Sequence, residues 1–350
     1  MHRFLYLIFA LQVVSCSNSN EKEQTKHSKP LEIKYAENFN LSVATDGYLL
    51  EIIDPNTKSI ERQYTIDTNV NYKIISLTST LNGMISILDV QETLKGVSDK
   101  DYVFDNKIKQ GIENGIIQEY GDESNFSLEK IIASGANVIF YSGFGNSFPY
   151  QEKIEAMGIT IIPVYDWREN HPLGKAEWIK VIAAYTNKMN RSIEFFDATR
   201  LHYEKLMQIA ASSKNKPSVL SGNLIGDIWY TPAGDAYISK LIKDAGGNYI
   251  YANTKGTVSL EFSIEEIIQT NKETAFWLNP GISSKKKLMQ FNPHSKYLNS
   301  FNNCYCYSSN MNYYWERSAA EPNLVLSDLI HLLHPEIKEI KKFYFYKKLD

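Results

Sequence analysis

Apolar residues along this chain follow a strand-like pattern at first and a mixed helix and strand pattern afterwards. Residues 31–72 alternate in short runs separated by turn residues such as Asp46 and Gly47, which predicts an antiparallel β lead-in. Beyond it, short apolar runs such as residues 74–77 and 159–164 alternate with amphipathic stretches. This alternation is typical of an α/β fold with parallel strands.

A stretch without internal Pro or Gly lies halfway along the chain, at residues 175–211. Its apolar residues recur at helical spacing, which predicts one long helix and leaves open a break near Asn187. We interpret this helix as the connector between an N-terminal α/β lobe at residues 73–174 and a C-terminal α/β lobe at residues 212–350.

One short unit occurs twice, with Ser-Leu-Glu-Lys-Ile-Ile at residues 127–132 and Ser-Ile-Glu-Glu-Ile-Ile at residues 263–268. Each copy predicts a helix that begins after a Ser N-cap and leads into a strand. The alignment places Glu129 on Glu265. These carboxylates either only complement the helix dipole, or they mark equivalent points on two similar lobes that a symmetric partner could bind.

The composition indicates a globular protein. Of the 350 residues, 43% are hydrophobic and 22% are charged, which suits two domains of ordinary size. The formal net charge of −3 implies no basic face and argues against nucleic-acid binding. Aromatic residues make up 13%, and Tyr and Trp provide large contact areas with a polar group at binding surfaces.

The N-terminus predicts export. Residues 1–16 combine a basic start with an apolar run too short to span a bilayer, as in a signal peptide, and they end at Cys16. That end resembles the lipobox of bacterial lipoproteins, in which the Cys is acylated; the alternative is an ordinary signal peptide with an incidental Cys. Residues 17–30 are polar and predict a flexible tether. The other two cysteines, Cys304 and Cys306, share a strand face and predict a packed pair of thiols.

Candidate ligand contacts are aromatic residues at predicted strand ends and in loops, because the carboxyl ends of strands form the ligand crevice of α/β sheets. Together with one cation they would suit a large, flat or anionic ligand. They are Tyr102, Tyr141, Phe144, Trp167, Trp229, Tyr230, Tyr237, Tyr313, Tyr314, Trp315 and Arg317.

Catalytic and cofactor motifs are absent from the sequence. It contains no phosphate-binding P-loop, no Gly-x-Ser-x-Gly elbow and no His-Glu-x-x-His pair, and no cluster of acid, base and nucleophile is visible. We therefore expect a binding protein and not an enzyme, with no cofactor and no metal site of its own.

Four stretches, at residues 74–98, 127–143, 263–268 and 314–333, together with the lipobox, resemble the class III solute-binding lipoproteins of ABC importers. The segment 229–237 is similar to a branch found in Bacteroidetes-type bacteria. The resemblance implies two Rossmann-like lobes joined by a long helix, with an iron-siderophore-type chelate bound between them. It also implies that Glu129 and Glu265 dock on Arg residues of an ABC permease dimer.

The same resemblance implies a monomer in the periplasm that touches the membrane only through its lipid anchor. Three alternatives stay open. The ligand could be cobalamin or haem, which related members bind. The chain could be a lipid-anchored enzyme, since a fold does not dictate an activity. It could also be a capture protein that works without a permease, in which case the Glu pair would be dispensable.

Overall fold

The computed structural model describes residues 29–121, 127–144, 147–282, 284–307, 311–340 and 342–350. The predicted signal segment, the predicted lipidation site Cys16 and the predicted tether up to residue 28 lie outside the described residues.

The lead-in forms a four-stranded antiparallel sheet in the order β1-β2-β3-β4. Its inner face is apolar, and Phe39, Leu41 and Leu50 are fully buried there. The strands are β1 (Lys29–Pro30), β2 (Phe39–Ala44), β3 (Gly47–Ile53) and β4 (Ile60–Asp67).

The N-terminal lobe is a five-stranded parallel sheet with helices packed around it. The strand order is β7-β6-β5-β8-β9, so β9 is an edge strand. The strands are β5 (Ile74–Ser76), β6 (Leu94–Val97), β7 (Gln118–Glu119), β8 (Val138–Ser142) and β9 (Thr160–Val164). The helices are α1 (Ser79–Leu88), α2 (Asn106–Glu113), α3 (Leu128–Ser134) and α4 (Gln151–Ala156).

The lead-in sheet covers the open edge of the N-terminal lobe. The Tyr64 hydroxyl on β4 donates to the carbonyl of Ile161 on β9 at 2.7 Å, and the Tyr165 hydroxyl just after β9 donates to Glu61 at 2.8 Å. Because an uncovered edge strand can pair with another chain, this cover protects the lobe from edge-to-edge association.

The connecting segment is divided into α5 (Pro172–Glu177), α6 (Ile179–Thr186) and α7 (Met189–Ala211). The division between α6 and α7 falls at Asn187, whose φ of 56° is left-handed and ends α6. Helix α6 packs on α1 and on β3 and β4. The break near Asn187 is therefore confirmed, and the longest continuous helix is the 23-residue α7.

The C-terminal lobe has a five-stranded sheet in the order β13-β10-β15-β16-β17, in which only β17 is antiparallel to its neighbour. A second sheet contains β11, β12 and β14. The strands are β10 (Ser218–Ser221), β11 (Asn223–Ile225), β12 (Ile228–Pro232), β13 (Asn248–Tyr249), β14 (Ser259–Ser263), β15 (Phe276–Leu278), β16 (Cys304–Tyr307) and β17 (Tyr346–Lys348).

The helices of this lobe are α8 (Tyr237–Asp244), α9 (Ile264–Thr270), α10 (Lys285–Phe291), α11 (Met311–Arg317) and α12 (Pro322–Leu333). Helix α7 packs on α12 and α8, whereas α6 packs on the N-terminal lobe. Helix α5, which precedes the break, also packs on α8 and α12, so the connector contacts both lobes ahead of Asn187.

The duplicated unit forms the same structure in both lobes. Helix α3 leads into β8 and helix α9 leads into β15, and both strands are interior strands of parallel ladders. The Ser127 hydroxyl accepts from the Lys130 amide at 3.3 Å, and the Ser263 hydroxyl accepts from the Glu266 amide at 3.2 Å. The helix-then-strand prediction and both N-caps are confirmed.

Cys304 and Cys306 are free thiols and fully buried. They lie in the same apolar cluster as Trp277 and Leu298. Burial raises the pKa of the Cys306 thiol to about 11, so it stays protonated at neutral pH. The predicted packed pair of thiols is confirmed.

Two buried carboxylates fasten the start of the described chain. Glu177 on α5 accepts the amides of Tyr35 and Ala36 at 2.8 and 3.0 Å. Glu169, just before α5, accepts the amides of Glu37 and Asn38 at 2.8 and 3.2 Å. Since both carboxylates are almost completely buried, the lead-in is part of the folded body.

Among the described residues, no helix combines the length and the apolar character that crossing a bilayer requires.

Candidate functional site

The carboxyl ends of the N-terminal strands present an aromatic surface. Phe144 follows β8 and Trp167 follows β9, and their ring centroids lie 5.1 Å apart. Phe144 is 74% exposed, while the Arg168 guanidinium covers one face of Trp167 at 5.3 Å. Two predicted site residues on different loops are thus brought together, with a cation beside them.

Helix α11 presents the matching aromatic residues of the C-terminal lobe. Tyr313 and Trp315 are about 40% exposed. The Arg317 guanidinium lies over the Tyr313 ring at 5.2 Å and pairs with Glu321. The Tyr313 ring also meets Phe104 of the N-terminal lobe, with centroids 6.2 Å apart. Helix α11 therefore contacts both lobes with residues that the sequence predicted for the site.

Three predicted ligand contacts are core residues instead. Trp229 is fully buried and packs on Trp277 with ring centroids 5.0 Å apart. Tyr314 is 3% exposed and stacks on Tyr307 at 3.8 Å. Tyr141 is also buried, in the apolar cluster of the N-terminal lobe. In this conformation their rings are occupied by protein neighbours, so they support the fold around the site.

The remaining predicted aromatic residues lie at three different places. Tyr102 follows β6 and is 47% exposed. Tyr230 lies inside β12, paired with Asn223 and Glu261, and is not at a strand end of the main sheet. Tyr237 begins α8 and faces the interlobe boundary. Of these three, Tyr230 is the residue that lies in the second, three-stranded sheet of the C-terminal lobe.

A buried lysine at the interlobe boundary was missed by the sequence analysis. The Lys175 ammonium on α5 lies 3.8 Å from Asp166 and 4.7 Å from the centroid of the Tyr237 ring. Burial alone would lower the pKa of Lys175, but Tyr237 and Asp166 outweigh burial and raise it, so the ammonium keeps its charge. No signal in the sequence distinguishes Lys175 from a solvated helical lysine.

Lys175 also lines a cavity of about 10 Å³, with Pro172, Tyr237, Tyr314 and Pro322 among its neighbours. One oxygen of Asp166, Oδ2, accepts no hydrogen bond from the described residues. A cavity of this size has room for a single water molecule, so Lys175 joins the packed elements here and does not line a ligand site.

The lobes are also joined by Glu316 of α11. Its carboxylate accepts the amide of Phe104 in the N-terminal lobe at 3.1 Å. Its own backbone carbonyl presses against Gly83 of α1, where a Cβ atom would have no room. An adjoining groove of about 310 Å³ is lined by Phe104, Tyr313 and Arg317. Burial raises the pKa of Glu316 to about 7.

The raised pKa of Glu316 predicts a pH-dependent stability. In the unfolded chain Glu has its ordinary pKa of 4.5, and in the fold about 7. The stabilisation is therefore complete below pH 4.5 and is lost as the pH rises through 7, a change of roughly 3 kcal/mol at most. We expect Glu316→Gln to lose less stability than the wild type between pH 5 and pH 8 in urea unfolding.

Glu169 and Asp328 also have raised pKa values, but both are retained in Glu316→Gln, so the comparison isolates Glu316. The same pH dependence in both proteins would show that the Glu316 carboxyl does not titrate in this range.

Glu129 and Glu265 lie outside the interlobe cavity. Both occupy the first turn of their helix and are exposed, and neither forms an ion pair within the described part of the chain. Helices α3 and α9 end close to where β8 and β15 start, so both glutamates lie toward the carboxyl edges of the sheets. Each lobe thus presents an exposed carboxylate at the equivalent position of the repeat, on the side where the aromatic loops lie.

In the ranges that the structure describes, no group of three or more His, Cys, Asp or Glu residues is arranged to hold a metal ion.

Comparison with known sequences identifies a family and its relatives. The family model described as periplasmic binding protein matches residues 74–295. An uncharacterised lipoprotein of Methanocaldococcus jannaschii is 29% identical over 286 residues, which is 79% of this chain. A second uncharacterised lipoprotein of that organism is 23% identical over 68% of this chain. The matches span 66% and 64% of these two relatives, just under two thirds of their length.

Comparison with solved structures finds the same fold. A possible iron-binding (periplasmic solute-binding) protein of Staphylococcus epidermidis has a TM-score of 0.60 at 17% identity, covering 76% of this chain and 100% of its own. A periplasmic haem-binding protein of Pseudomonas aeruginosa has a TM-score of 0.62 at 12% identity, covering 79% and 98%. A periplasmic vitamin B12 binding protein of Vibrio cholerae has a TM-score of 0.55 at 15% identity, covering 76% and 97%.

Proposed function

The chain belongs to the periplasmic binding protein family, and we propose that it captures an iron-siderophore-type metal chelate between its lobes and delivers it to an ABC permease. The observation that carries this proposal is the meeting of aromatic and cationic groups from both lobes at one boundary. Phe104 meets Tyr313 there, and the Arg317 guanidinium lies over the Tyr313 ring beside the groove of about 310 Å³.

The charges and rings that each lobe exposes favour an oxygen-rich anion with planar groups. Arg168 and Arg317 each cover one face of an aromatic ring, while Trp315 and Phe144 keep exposed ring surface for a ligand. Stacking and charge together suit a ferric chelate whose ligand groups are anionic oxygens.

Haem is the second candidate ligand. Tyr313 is partly exposed and its hydroxyl accepts a hydrogen bond from Arg317. A phenolic oxygen is one of the axial ligands that proteins offer to haem iron. This candidate keeps the same cleft and the same class of importer.

We further propose that the protein is a monomer, anchored in the periplasm through a lipid on Cys16. The export signal predicted for residues 1–16 and the lipoproteins among its relatives support this location. The proposed permease contacts are Glu129 and Glu265, which are exposed on equivalent helices of the two lobes.

The cargo can be identified by tryptophan fluorescence of the chain from residue 17 onward, titrated in parallel with ferric siderophores, haem and cobalamin. Trp167 and Trp315 border the proposed cleft, so their emission should respond to a bound chelate. Saturable quenching at submicromolar concentration by ferric siderophores would support the proposal. Quenching by haem or cobalamin alone would reassign the cargo, and no response from the folded protein would contradict a chelate-binding function.

Trp315→Ala and Trp167→Ala are each expected to weaken chelate binding. A stacked ring contributes about 1–3 kcal/mol to binding of a flat partner, which corresponds to roughly 5- to 150-fold in Kd. Isothermal titration with the cargo identified above measures the change.

Trp229→Phe is the matched control, because Trp229 is fully buried and packs on Trp277. It should bind with nearly unchanged affinity. Unchanged affinity in both the Trp315 and Trp167 variants would show that these two rings do not contact the ligand.

A further inference from the structure

The C-terminal lobe carries a surface that the proposed cargo binding and permease docking do not use. We call it the basic surface and define it by Lys285, Lys286, Lys287, Phe291, Lys296 and Tyr297. Its residues belong to α10 and to the short 3-10 helix Pro293–Tyr297 that follows it. The two segments pack against each other, so they present one continuous patch.

The charge of this surface is predominantly positive. The chain as a whole has a formal charge of −3, yet no Asp or Glu occurs between Glu273 and Glu316, and Asp350, whose carbonyl accepts the Lys285 amide, is an acidic residue beside the four lysines. Within the described residues, none of the four lysines of the basic surface forms an ion pair. Elsewhere the lysines often have a carboxylate partner, as Lys107 has in Asp89 and Lys240 has in Asp244.

Two large aromatic side chains stand exposed among these lysines. Phe291 is 78% exposed and Tyr297 is 59% exposed. The Lys296 ammonium lies over the Tyr297 ring at 5.0 Å from its centroid. Exposed aromatic rings interleaved with lysines are characteristic of surfaces that settle at the level of lipid headgroups.

The basic surface lies toward the amino edge of the C-terminal sheet. The Lys285 amide donates to the carbonyl of Asp350 at 3.1 Å, and the neighbouring Leu349 amide donates to Cys304, the first residue of β16. Glu265, by contrast, starts a helix that runs down to the amino end of β15. The basic surface is therefore distinct from the side proposed to dock on the permease.

We propose that the basic surface binds the anionic phospholipid headgroups of the membrane to which the protein is anchored. Lysines close to an anionic leaflet strengthen binding by about fivefold each, and Phe291 and Tyr297 can insert at the interface. The body would then rest on the membrane when it is not engaged by the permease. This adds a second membrane contact to the predicted lipid anchor.

The chain length between the proposed anchor and the folded body permits this contact. From Cys16 to Lys29, where the described chain begins, there are 29 − 16 = 13 residue steps. They can span at most about 45 Å, which is comparable with the size of one lobe. A body held within that distance meets the leaflet frequently, so modest affinity suffices.

Vesicle co-sedimentation tests the proposal with the unlipidated chain from residue 17 onward, which retains every described residue. We expect it to bind vesicles of phosphatidylglycerol and phosphatidylcholine at low salt, and not vesicles of phosphatidylcholine alone. Since the whole chain is net negative, binding to anionic vesicles would report a local basic patch. The variant with Lys285, Lys286, Lys287 and Lys296 changed to Gln should bind at least tenfold more weakly.

A matched variant controls for net charge. Lys153, Lys188, Lys214 and Lys216 are exposed and form no ion pair among the described residues, so changing them to Gln removes the same charge elsewhere. Retained binding by this control supports the basic surface. An equal loss in both variants, binding to neutral vesicles, or no binding by the wild type would each overturn the proposal.

A second variant examines the aromatic contribution without a change of charge. Phe291→Ser removes an exposed ring and should weaken anionic-vesicle binding severalfold while leaving thermal unfolding unchanged. Binding identical to the wild type would contradict insertion of Phe291 at the interface.

Discussion

Glu177→Ala is expected to destabilise the protein by about 3–5 kcal/mol, the largest loss that we predict for a single substitution. Glu177 is fully buried, and its carboxylate pairs with the Lys180 ammonium at 2.6 Å. It also accepts the amides of Lys34, Tyr35 and Ala36. Removing it leaves a buried cation whose remaining contacts in the described chain are the Glu32 carbonyl and the Phe196 ring, and it leaves three amides without their acceptor.

Urea unfolding followed by circular dichroism measures this loss. Glu204→Ala is the matched control, because Glu204 accepts a hydrogen bond from the hydroxyl of the same residue, Tyr35, but is only half-buried. Its effect should stay below about 1 kcal/mol.

A double variant separates the ion pair from the amide contacts. Glu177→Ala with Lys180→Met removes the stranded cation, so it should be more stable than Glu177→Ala alone. If Glu177→Ala unfolds at the wild-type urea concentration, the fastening of the lead-in by this carboxylate is not important for stability.

Glu129→Ala combined with Glu265→Ala is expected to abolish stimulation of the importer's ATPase by the loaded protein. Both side chains are exposed and unpaired within the described chain, so their removal should leave the fold and the cargo affinity nearly unchanged. Each lobe would lose the carboxylate that it presents at the equivalent position of the repeat. The measurement is ATP hydrolysis by the permease in liposomes at saturating loaded protein.

The control replaces Glu152 and Glu266, which are also exposed and lie in the first turn of α4 and α9. This pair removes the same charge from both lobes but does not occupy equivalent positions in the repeat. We expect it to stimulate the ATPase normally. Undiminished stimulation by the Glu129 and Glu265 variant would remove these residues from the docking surface.

The repeated unit could be predicted well because its signals are local. A Ser hydroxyl at an N-cap needs only the amides of the next turn, so Ser127 and Ser263 fix their helices without help from distant residues. The strands that follow are short apolar runs, which a parallel sheet buries on both faces. Periodicity and capping therefore sufficed for the two α/β lobes and for the break at Asn187.

The candidate site could be predicted only in part, because burial of an aromatic ring depends on the tertiary fold. In the sequence, nothing in the residues around Trp229 and Trp315 indicates which of the two rings is buried. In the structure, Trp229 packs on Trp277 in the core, while Trp315 keeps 40% of its surface exposed. Sequence spacing contains no information about which ring finds such a partner.

Buried charges were missed for a related reason. Lys175, Glu177 and Lys180 fit the polar positions of an ordinary exposed helix, where charged residues are found most often. These residues are buried because the lead-in sheet and the C-terminal lobe pack over α5 and α6. Such contacts join residues that are far apart in the sequence, more than 140 positions for Glu177 and Lys34.

The fastening of residues 34–38 to Glu177 and Glu169 has a mechanical consequence. It ties the segment just after β1 to α5 and to the loop before it. The start of the described chain is therefore held at two successive places, first by the pairing of β1 with β2 and then by the two buried carboxylates. A pull on the chain ahead of Lys29 would load the short β1–β2 pairing first, and the carboxylates would keep the rest of the lead-in attached to α5 if that pairing opened.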